Sequence, residues 1–331
     1  MDNYVPPFTV TNTMLEYVSS IMEKIGKIDN YTNLEKMPNL RRNNKIKSIH
    51  SSLAIEANSL SLAQVKAVIA GKVVLGPKKE IQEVLNAYNA YEMINKVNPY
   101  SITDLKKVHG IMTYKTIELA GIFRTGNEGV FDGNGNCIHV CPPPAQVDYL
   151  MKQLFNWMKK NKDTIHPLIL SSIFHYEFVF IHPFSDGNGR MARLWQNVIL
   201  TNWKSFFEYL PIESQIKKYQ EEYYTAISNC HKTANSNEFI EFMLRMINEV
   251  LSELVETATT PLTEKSINIS KLLSVMEYGI PMTANQIIEK LEIKSKETLR
   301  TTYLDPAIEE KLVELTIPEK PTSKNQMYYK V

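Results

Sequence analysis

Apolar residues recur at helical spacing along most of the chain. Met191, Leu194 and Val198 predict a helix that begins near Asn188, and the apolar run from Leu168 to Phe180 predicts a buried helix before it. Other amphipathic stretches begin at a capping residue or a proline, which are typical helix starts. Such starts occur near Asn12, Pro38, Ser61, Pro77 and Ser101. The pattern predicts a mainly α fold.

One short segment breaks the helical pattern. Between Gly129 and Val140, apolar residues flank a turn rich in Gly and Asn, which predicts a β-hairpin. The hairpin is too short to form a domain, and it has no neighbouring strands that could complete a sheet. A solitary hairpin on a helical protein is more often a surface device than part of a core.

The last part of the chain follows a linker signal from Thr257 to Pro261. Apolar residues then indicate a helix, a helix–turn–helix over 282–300 and two short strands near Val313 and Tyr328. This order resembles a winged helix. Its lysines and arginines are matched by Asp and Glu, whereas a DNA-binding domain is normally clearly basic. We therefore expect this domain to dock to protein, with DNA binding as the disfavoured alternative.

Composition narrows the class of protein. The 331 residues suffice for two domains, and a formal net charge of +1 gives no global field that would attract nucleic acid or a membrane. Three cysteines without a CxxC pair favour a reducing compartment over a disulfide framework. The first residues lack a basic n-region, and no apolar run reaches the length of a membrane span. These features indicate a cytoplasmic protein with no membrane partner.

The densest set of reactive side chains lies between the two buried helices, from Ile181 to Arg193. Pro183 cannot continue the first helix, because it lacks an N–H and disfavours helical backbone at the preceding residue. Gly187 and Gly189 leave backbone N–H groups bare where the second helix begins. Such a helix–loop–helix corner binds anions, above all phosphates.

The side chains of this corner suit phosphate chemistry. His182 has an ordinary pKa of about 6.5 and can take a proton from a hydroxyl. Asp186 is a hard oxygen ligand suited to magnesium held between phosphates. Arg190 and Arg193 lie on one helix face, where they can neutralise phosphate oxygens. A single histidine or a Gly-Asn-Gly turn is more often structural, but the combination indicates a catalytic site.

The stretch resembles the signature of the Fic family, His-x-Phe-x-Asp/Glu-Gly-Asn-Gly-Arg-x-x-Arg, and every fixed position is matched between His182 and Arg193. The resemblance implies a Fic helical core and a protein adenylyltransferase that moves AMP from ATP to a Ser, Thr or Tyr hydroxyl. In that mechanism His182 deprotonates the hydroxyl and Asp186 holds Mg²⁺. The implied nucleotide contacts are Gly187, Asn188, Gly189, Arg190, Met191, Ala192 and Arg193, with Tyr223 and Tyr224 beside the adenine. For the two tyrosines, core packing is an equally weighted alternative.

Ser52 and Glu56 match the inhibitory motif of the same family, Ser/Thr-x-x-x-Glu-Gly/Asn. The resemblance implies that Glu56 pairs with Arg193 and misplaces the γ-phosphate, so that the resting enzyme is slow. The chain departs from the motif at Ala57, where the family has Gly or Asn. The alternative is an ordinary carboxylate at the end of a helix.

The hairpin is similar to the flap of Fic proteins, which lies over the active site and aligns the target segment by strand-like pairing. The corresponding flap residues are Val130, Phe131, Asp132 and Gly133. The segments 121–124 and 142–144 flank the hairpin as in the family. The long polar turn is less typical, so the sequence leaves the preferred target open.

The expected organisation is an N-terminal helical region over 1–95, with the inhibitory helix at about 38–57, a Fic core over 96–258 and a winged-helix domain over 265–331. Expected partners are ATP as substrate, Mg²⁺ and a target protein with an acceptor hydroxyl; self-modification and homo-oligomers are compatible with the family. One alternative is a Fic fold that removes AMP or transfers another phosphate-containing group. A second is a winged-helix regulator whose Fic core only senses nucleotide.

Overall fold

The computed structural model describes residues 4–31, 38–131, 137–259, 264–277 and 280–330. The chain divides into two compact units, one formed by 1–65 and 74–257 and the other by 66–73 and 258–331. In the described residues, the first unit consists of helices and one hairpin, and the second combines short helices with a small sheet. The prediction of a mainly α fold is confirmed.

Eleven helices come first in the described residues, and seven of them start at or within one residue of a position predicted from the sequence. They are α1 (Asn12–Tyr31), α2 (Pro38–Ile55), α3 (Leu62–Ile69), α4 (Lys78–Tyr91), α5 (Ile102–Met112), α6 (Pro144–Asn161), α7 (Pro167–Ile181), α8 (Asn188–Trp203), α9 (Ile212–Lys218), α10 (Gln220–Thr233) and α11 (Asn237–Thr259). Short 3₁₀ helices cover Ile94–Lys96 and Ser205–Tyr209. None of the helices in the described ranges is both long enough and apolar enough to span a bilayer.

The N-terminus of α5 is capped by a side chain, as the sequence predicts. Ser101 Oγ accepts the N–H of Asp104 at 3.1 Å, as the capping pattern predicts. The Asp104 carboxylate does not return to the Ser101 N–H; it accepts the N–H of Asn98 at 2.8 Å. The cap therefore also fixes the turn that leads into the helix.

The core of the first unit is built around α7 and α8. Every residue of α7 from Leu168 to Phe178 is buried, which explains its lack of a polar face. On α8, Trp195 is fully buried and donates its indole N–H to the carbonyl of Pro99 at 3.0 Å. Because the corner between 181 and 188 joins these two helices, it is supported by the buried core of the first unit.

Helix α2 is attached to this core by a buried carboxylate as well as by apolar residues such as Ile49. Ser48 Oγ donates to Oε2 of Glu213 at 2.7 Å. The other Glu213 oxygen accepts the Tyr91 hydroxyl and the Asn197 amide, each at 2.8 Å. Burial raises the pKa of Glu213, and the hydrogen bonds from Ser48 and Tyr91 lower it in part. The carboxyl group thus joins α2 to α4 and α8.

The predicted hairpin consists of β1 (Gly129–Phe131) and β2 (Cys137–Val140), which pair antiparallel with Gly129 opposite Val140. Val130 and Phe131 lie in β1, whereas Asp132 and Gly133 lie outside the described residues. His139 Nε2 lies 2.8 Å from the carbonyl oxygen of Phe180, so β2 is attached to the end of α7.

The second unit contains α12 (Glu264–Val275), β3 (Met282–Thr283), α13 (Ala284–Leu291), α14 (Lys296–Thr298), a π-helical stretch (Leu299–Leu304), α15 (Asp305–Glu309), β4 (Val313–Leu315) and β5 (Met327–Lys330). Its strands form an antiparallel sheet in the order β3–β5–β4. Four fully or almost fully buried residues form the centre of its core, namely Leu272, Ile287, Leu299 and Val313.

The expectation that the helical segment begins at Met282 was wrong by two residues. Thr283 is the N-cap of α13 and forms a capping box with Gln286, which requires extended backbone at the cap. The residues before the helix therefore continue as a strand, and Met282 pairs with Tyr328 of β5.

The end of α2 is a Schellman motif. The N–H of Asn58 donates to the carbonyl of Leu53 at 3.1 Å, and the N–H of Ala57 donates to the carbonyl of Ala54 at 3.3 Å. Ala57 has φ +64°, a left-handed conformation that favours Gly or Asn. This turn places Glu56 before and Asn58 after a strained residue.

Replacing Ala57 by glycine is expected to stabilise the protein by about 0.5–1 kcal/mol, because the left-handed strain of an L-residue is removed and only partly offset by the backbone entropy of glycine. Urea unfolding of the parent chain and of Ala57→Gly measures the difference. Ala54→Gly is the matched control inside the helix, where the same change is expected to destabilise by about 1 kcal/mol. A loss of stability in both variants would contradict the argument.

Candidate active site

His182 directly follows α7 and leaves the helical direction with φ +52°. Its Nδ1 lies 3.3 Å from the carbonyl oxygen of Val179, so the proton-bearing nitrogen is Nδ1 and the lone pair is on Nε2. Burial lowers the pKa of His182, whereas the bond to Val179 and the charge of Glu56 raise it. The imidazole is therefore neutral at pH 7, and Nε2 can accept a proton.

Hydrogen bonds from Arg124 hold the backbone of His182 in place. This residue is buried, and its Nε donates to the carbonyl of His182 at 2.7 Å while its N–H donates to the carbonyl of Pro183 at 2.9 Å. Its Nη1 and Nη2 donate to the carbonyls of Gly126 and Pro142 at 2.8 and 2.6 Å. One side chain thus joins both ends of the hairpin region to the histidine loop. The sequence indicated Arg124 only as a flanking residue.

His109 on α5 supports the same loop from the other side. Its ring stacks on Phe184 with centroids 3.6 Å apart. Nδ1 accepts the N–H of Gly121 at 2.9 Å, so Nε2 carries the proton and donates to the carbonyl of Asp186 at 3.0 Å. Burial lowers the pKa of His109 to about 4, which keeps the ring neutral. The sequence analysis missed this residue, because a histidine in an amphipathic helix carries no local signal.

The loop is closed by Asn188. Its Oδ1 accepts the N–H of Phe184 at 2.9 Å, and its Nδ2 donates to the Phe184 carbonyl at 2.7 Å. Gly187, with φ +81°, supplies the left-handed turn before α8. Its Cβ position would lie 3.0 Å from Thr113, so the loop also needs a small residue there. The side chain of Asn188 thus rigidifies the turn whose N–H groups begin the helix.

Both arginines of α8 are withdrawn from solvent and paired. The Arg193 side chain is 1% exposed, and its Nη2 donates to Oε1 of Glu56 at 2.8 Å. Its Nε and Nη2 also donate to the hydroxyl and carbonyl of Ser52 at 3.1 and 3.0 Å. Arg190 donates to Oδ1 of Asp186 at 3.0 Å. The structure thus brings Ser52, Glu56 and Arg193 together, as the resemblance implied.

The Glu56 carboxylate lies directly against the first turn of α8. A Cβ atom added to Gly189 would overlap Oε1 of Glu56 and would lie 3.2 Å from Nη1 of Arg193. Only glycine allows this approach. A carboxylate is favoured at this end of a helix by the helix dipole and the bare N–H groups. Glu56 therefore occupies the place where the corner is best suited to an anion from solution.

Asp186 is the residue of this corner that fits a magnesium ion. Its side chain is 43% exposed, and Oδ1 accepts the Gly187 N–H at 2.5 Å in addition to Arg190. Within the described ranges, no group of three or more His, Cys, Asp and Glu side chains is placed to hold a metal ion. A single accessible carboxylate fits the usual mode for Mg²⁺, in which one or two carboxylates and substrate phosphates share the ion.

The four remaining residues that are predicted to contact the nucleotide differ in their exposure to solvent. Met191 and Ala192 are fully buried on the first turn of α8. Tyr223 is also buried, and its hydroxyl lies 2.9 Å from Nε2 of His175. Tyr224 is 43% exposed, and its hydroxyl donates to the carbonyl of Ile55 at 3.4 Å. Of the two tyrosines, only Tyr224 presents a surface near the end of α2. The nucleotide roles of all four stay predictions.

His109→Phe is expected to reduce the acid sensitivity of folding. The unfolded chain binds a proton at this histidine below about pH 6.5, whereas the folded chain does so only near pH 4. Stability is therefore present above pH 6.5 and lost as the pH falls towards 4. Between pH 7 and pH 5 the parent should lose about 2 kcal/mol that the variant does not lose.

Urea unfolding at both pH values measures this difference, and phenylalanine keeps the ring that stacks on Phe184. Equal pH dependence of the parent and the variant would show that His109 is not held neutral.

Comparison with known proteins gives a consistent result. Residues 99–200 match the model of the Fic/DOC family, and residues 268–329 match the model of the Fic-like C-terminal domain. A crystal structure of a Fic family protein from Desulfovibrio desulfuricans G20 is 39% identical, with a TM-score of 0.74; the alignment covers 99% of this chain and 98% of that chain.

The curated relatives include proteins that bear the name protein adenylyltransferase Fic. The protein from Nematostella vectensis is 29% identical over 64% of this chain and 49% of its own length. The protein from Aedes aegypti is 28% identical over 72% of this chain and 46% of its own length. The chain thus spans about half the length of the curated relatives it matches.

Proposed function

The chain belongs to the Fic family, and we propose that it is a protein adenylyltransferase, which transfers AMP from ATP to a Ser, Thr or Tyr hydroxyl of a protein. The observation that carries this proposal is the corner between α7 and α8. A histidine with a free Nε2, an accessible carboxylate and two buried guanidinium groups converge there on the start of a helix. The names of the curated relatives support the same activity.

The proposed transfer needs no covalent intermediate with the protein. The target hydroxyl oxygen attacks the α-phosphorus, its proton passes to Nε2 of His182, and the bond from the α-phosphorus to the bridging oxygen breaks so that pyrophosphate leaves. The bond from Nδ1–H to the carbonyl of Val179 leaves the lone pair on Nε2, which can accept the proton. The N–H groups around Gly187, Asn188 and Gly189 would bind phosphate oxygens, and Arg190 and Arg193 would neutralise them.

We propose that Asp186 holds the magnesium ion. A bound Mg²⁺ would neutralise charge on the phosphates and orient them. The residues of this chain around Asp186 are suited to that arrangement, since Arg190 and the Gly187 N–H hold Oδ1 and fix the direction of the carboxylate.

Glu56 is proposed as an inhibitory residue. It occupies Nη2 of Arg193 and lies against Gly189, where a nucleotide phosphate would otherwise be placed. A buried arginine that already has a carboxylate partner gains less from a phosphate, so ATP would bind in a less productive position. The resting enzyme would then be slow until the end of α2 moves.

For the second unit we propose a winged helix that docks to protein. The helical segments from α12 to α15 are followed by β4 and β5, and β3 completes the sheet. The balanced charges of this unit favour a protein partner over DNA. The segments 1–95 and 96–258 would then supply the inhibitory helix and the catalytic core.

Incubation with ATP and magnesium tests the activity through intact protein mass. We expect an added AMP in the parent chain, about tenfold faster addition in Glu56→Gly, and none in His182→Ala, because the first variant frees Arg193 and the second removes the base. Glu80→Gln is a matched control, since this carboxylate accepts from Ser59 and does not contact Arg193. Glu56→Gly no faster than the parent would remove the inhibitory role.

The pH profile of Glu56→Gly tests the role of the histidine. The base must be unprotonated, so the rate is expected to be constant at high pH and to fall with unit slope as the pH drops through the pKa of His182. Because burial lowers that pKa below 6.5, the midpoint should lie below pH 6.5. Initial rates from pH 4.5 to 8.5 measure it. A midpoint above 6.5 would contradict a buried, neutral base.

A further inference from the structure

Arg190 is held by a carboxylate that neither the sequence motif nor the family signature contains. Its Nη1 lies 3.5 Å from Oε1 of Glu83 on α4, and its Nη2 donates to Asp186 at 3.0 Å. The side chains of Arg190 and Glu83 are 4% and 13% exposed. The Nε of Arg190 is buried without a hydrogen-bond partner. The direction of this guanidinium therefore depends on two carboxylates alone among the described residues.

The other oxygen of Glu83 is bound by the end of α2. Nδ2 of Asn58 donates to Oε2 of Glu83 at 3.0 Å. Asn58 is itself fixed, because its Oδ1 accepts the N–H of Leu60 at 3.2 Å and its backbone N–H closes the Schellman motif on Leu53. An unbroken chain of polar contacts thus runs from the turn after α2 to Arg190.

We propose that Glu83 is a positioning residue through which Asn58 holds Arg190 in place for a phosphate. The inference rests on the proposed function, in which Arg190 binds ATP. It gives the turn at 56–58 two opposite effects. Glu56 blocks Arg193 directly, whereas Asn58, two positions later, preorganises Arg190 through Glu83. Glu83 lies 3.5 Å from Nη1 of Arg190, a longer contact than the 2.8 Å between Glu56 and Arg193, so Glu83 orients the guanidinium without occupying it as closely as Glu56 occupies Arg193. A guanidinium that is already oriented loses less freedom when a phosphate binds, so cutting this chain weakens nucleotide binding.

The first test needs no activity. In protein labelled with ¹⁵N-arginine, the Nε–Hε signal of Arg190 is assigned by its loss in Arg190→Lys. We expect that signal to shift or broaden in Asn58→Ala and in Glu83→Gln. It should stay in place in Glu80→Gln, which alters the same turn and helix through Ser59 only. An unmoved signal in Asn58→Ala and Glu83→Gln would overturn the proposed chain of contacts, whatever reaction the protein catalyses.

The second test measures the consequence for ATP by calorimetric titration in the Glu56→Gly background. Adding Asn58→Ala or Glu83→Gln should each raise the dissociation constant of ATP about tenfold, because binding of the phosphate must then also order the Arg190 side chain. The two changes together should cost no more than either alone, because both cut the same chain.

Two outcomes of the titration would overturn the proposal. One is an ATP affinity within twofold of the background in both variants, and the other is a fully additive loss in the double variant. Should Asn58→Ala not fold, Glu83→Gln alone decides, since it keeps the size of the side chain. Failure of AMP transfer with these affinity changes intact would count against the proposed function and not against this inference.

Discussion

A guanidinium withdrawn from water must find a partner, and this requirement governs the N-terminal half of α8. Arg193 has almost no exposed surface, so the helix cannot keep it there without Ser52 and Glu56. The pairing holds α2 against α8 and places the Glu56 carboxylate at the start of α8. The helix dipole also favours a carboxylate there. On the proposed function, the carboxylate that pairs with Arg193 would compete with a phosphate of ATP for the same guanidinium.

The loop between α7 and α8 is held mainly by hydrogen bonds from side chains to its backbone carbonyls. Arg124 donates to the carbonyls of His182 and Pro183, and His109 donates to that of Asp186. These donors satisfy groups that a tight loop leaves without a partner in secondary structure. The shape of the loop is therefore set by contacts in which Glu56 takes no part.

Local sequence patterns predicted most helices, the hairpin and the corner between α7 and α8. They did not predict the residues that hold these parts in place. The helices near Asn12 and Pro38, the hairpin and the residues between His182 and Arg193 all carry signals within a few positions. The pairing of Glu56 with Arg193 came from a family resemblance, since the two are far apart in the chain. Glu83, His109 and Glu213 were missed, because their partners are set by helix packing. The strand β3 was missed because its pairing partner β5 lies far along the chain.

The left-handed backbone at Ala57 has a consequence for the populations of the resting protein. The turn that carries Glu56 holds about 1 kcal/mol of strain, which glycine would not hold. Any opening that lets this residue return to an ordinary conformation recovers that energy, and the open form is then about fivefold more populated than it would be with glycine. On the proposed inhibitory role, alanine at this position would weaken the hold of Glu56 on Arg193 without altering the groups proposed to contact a phosphate.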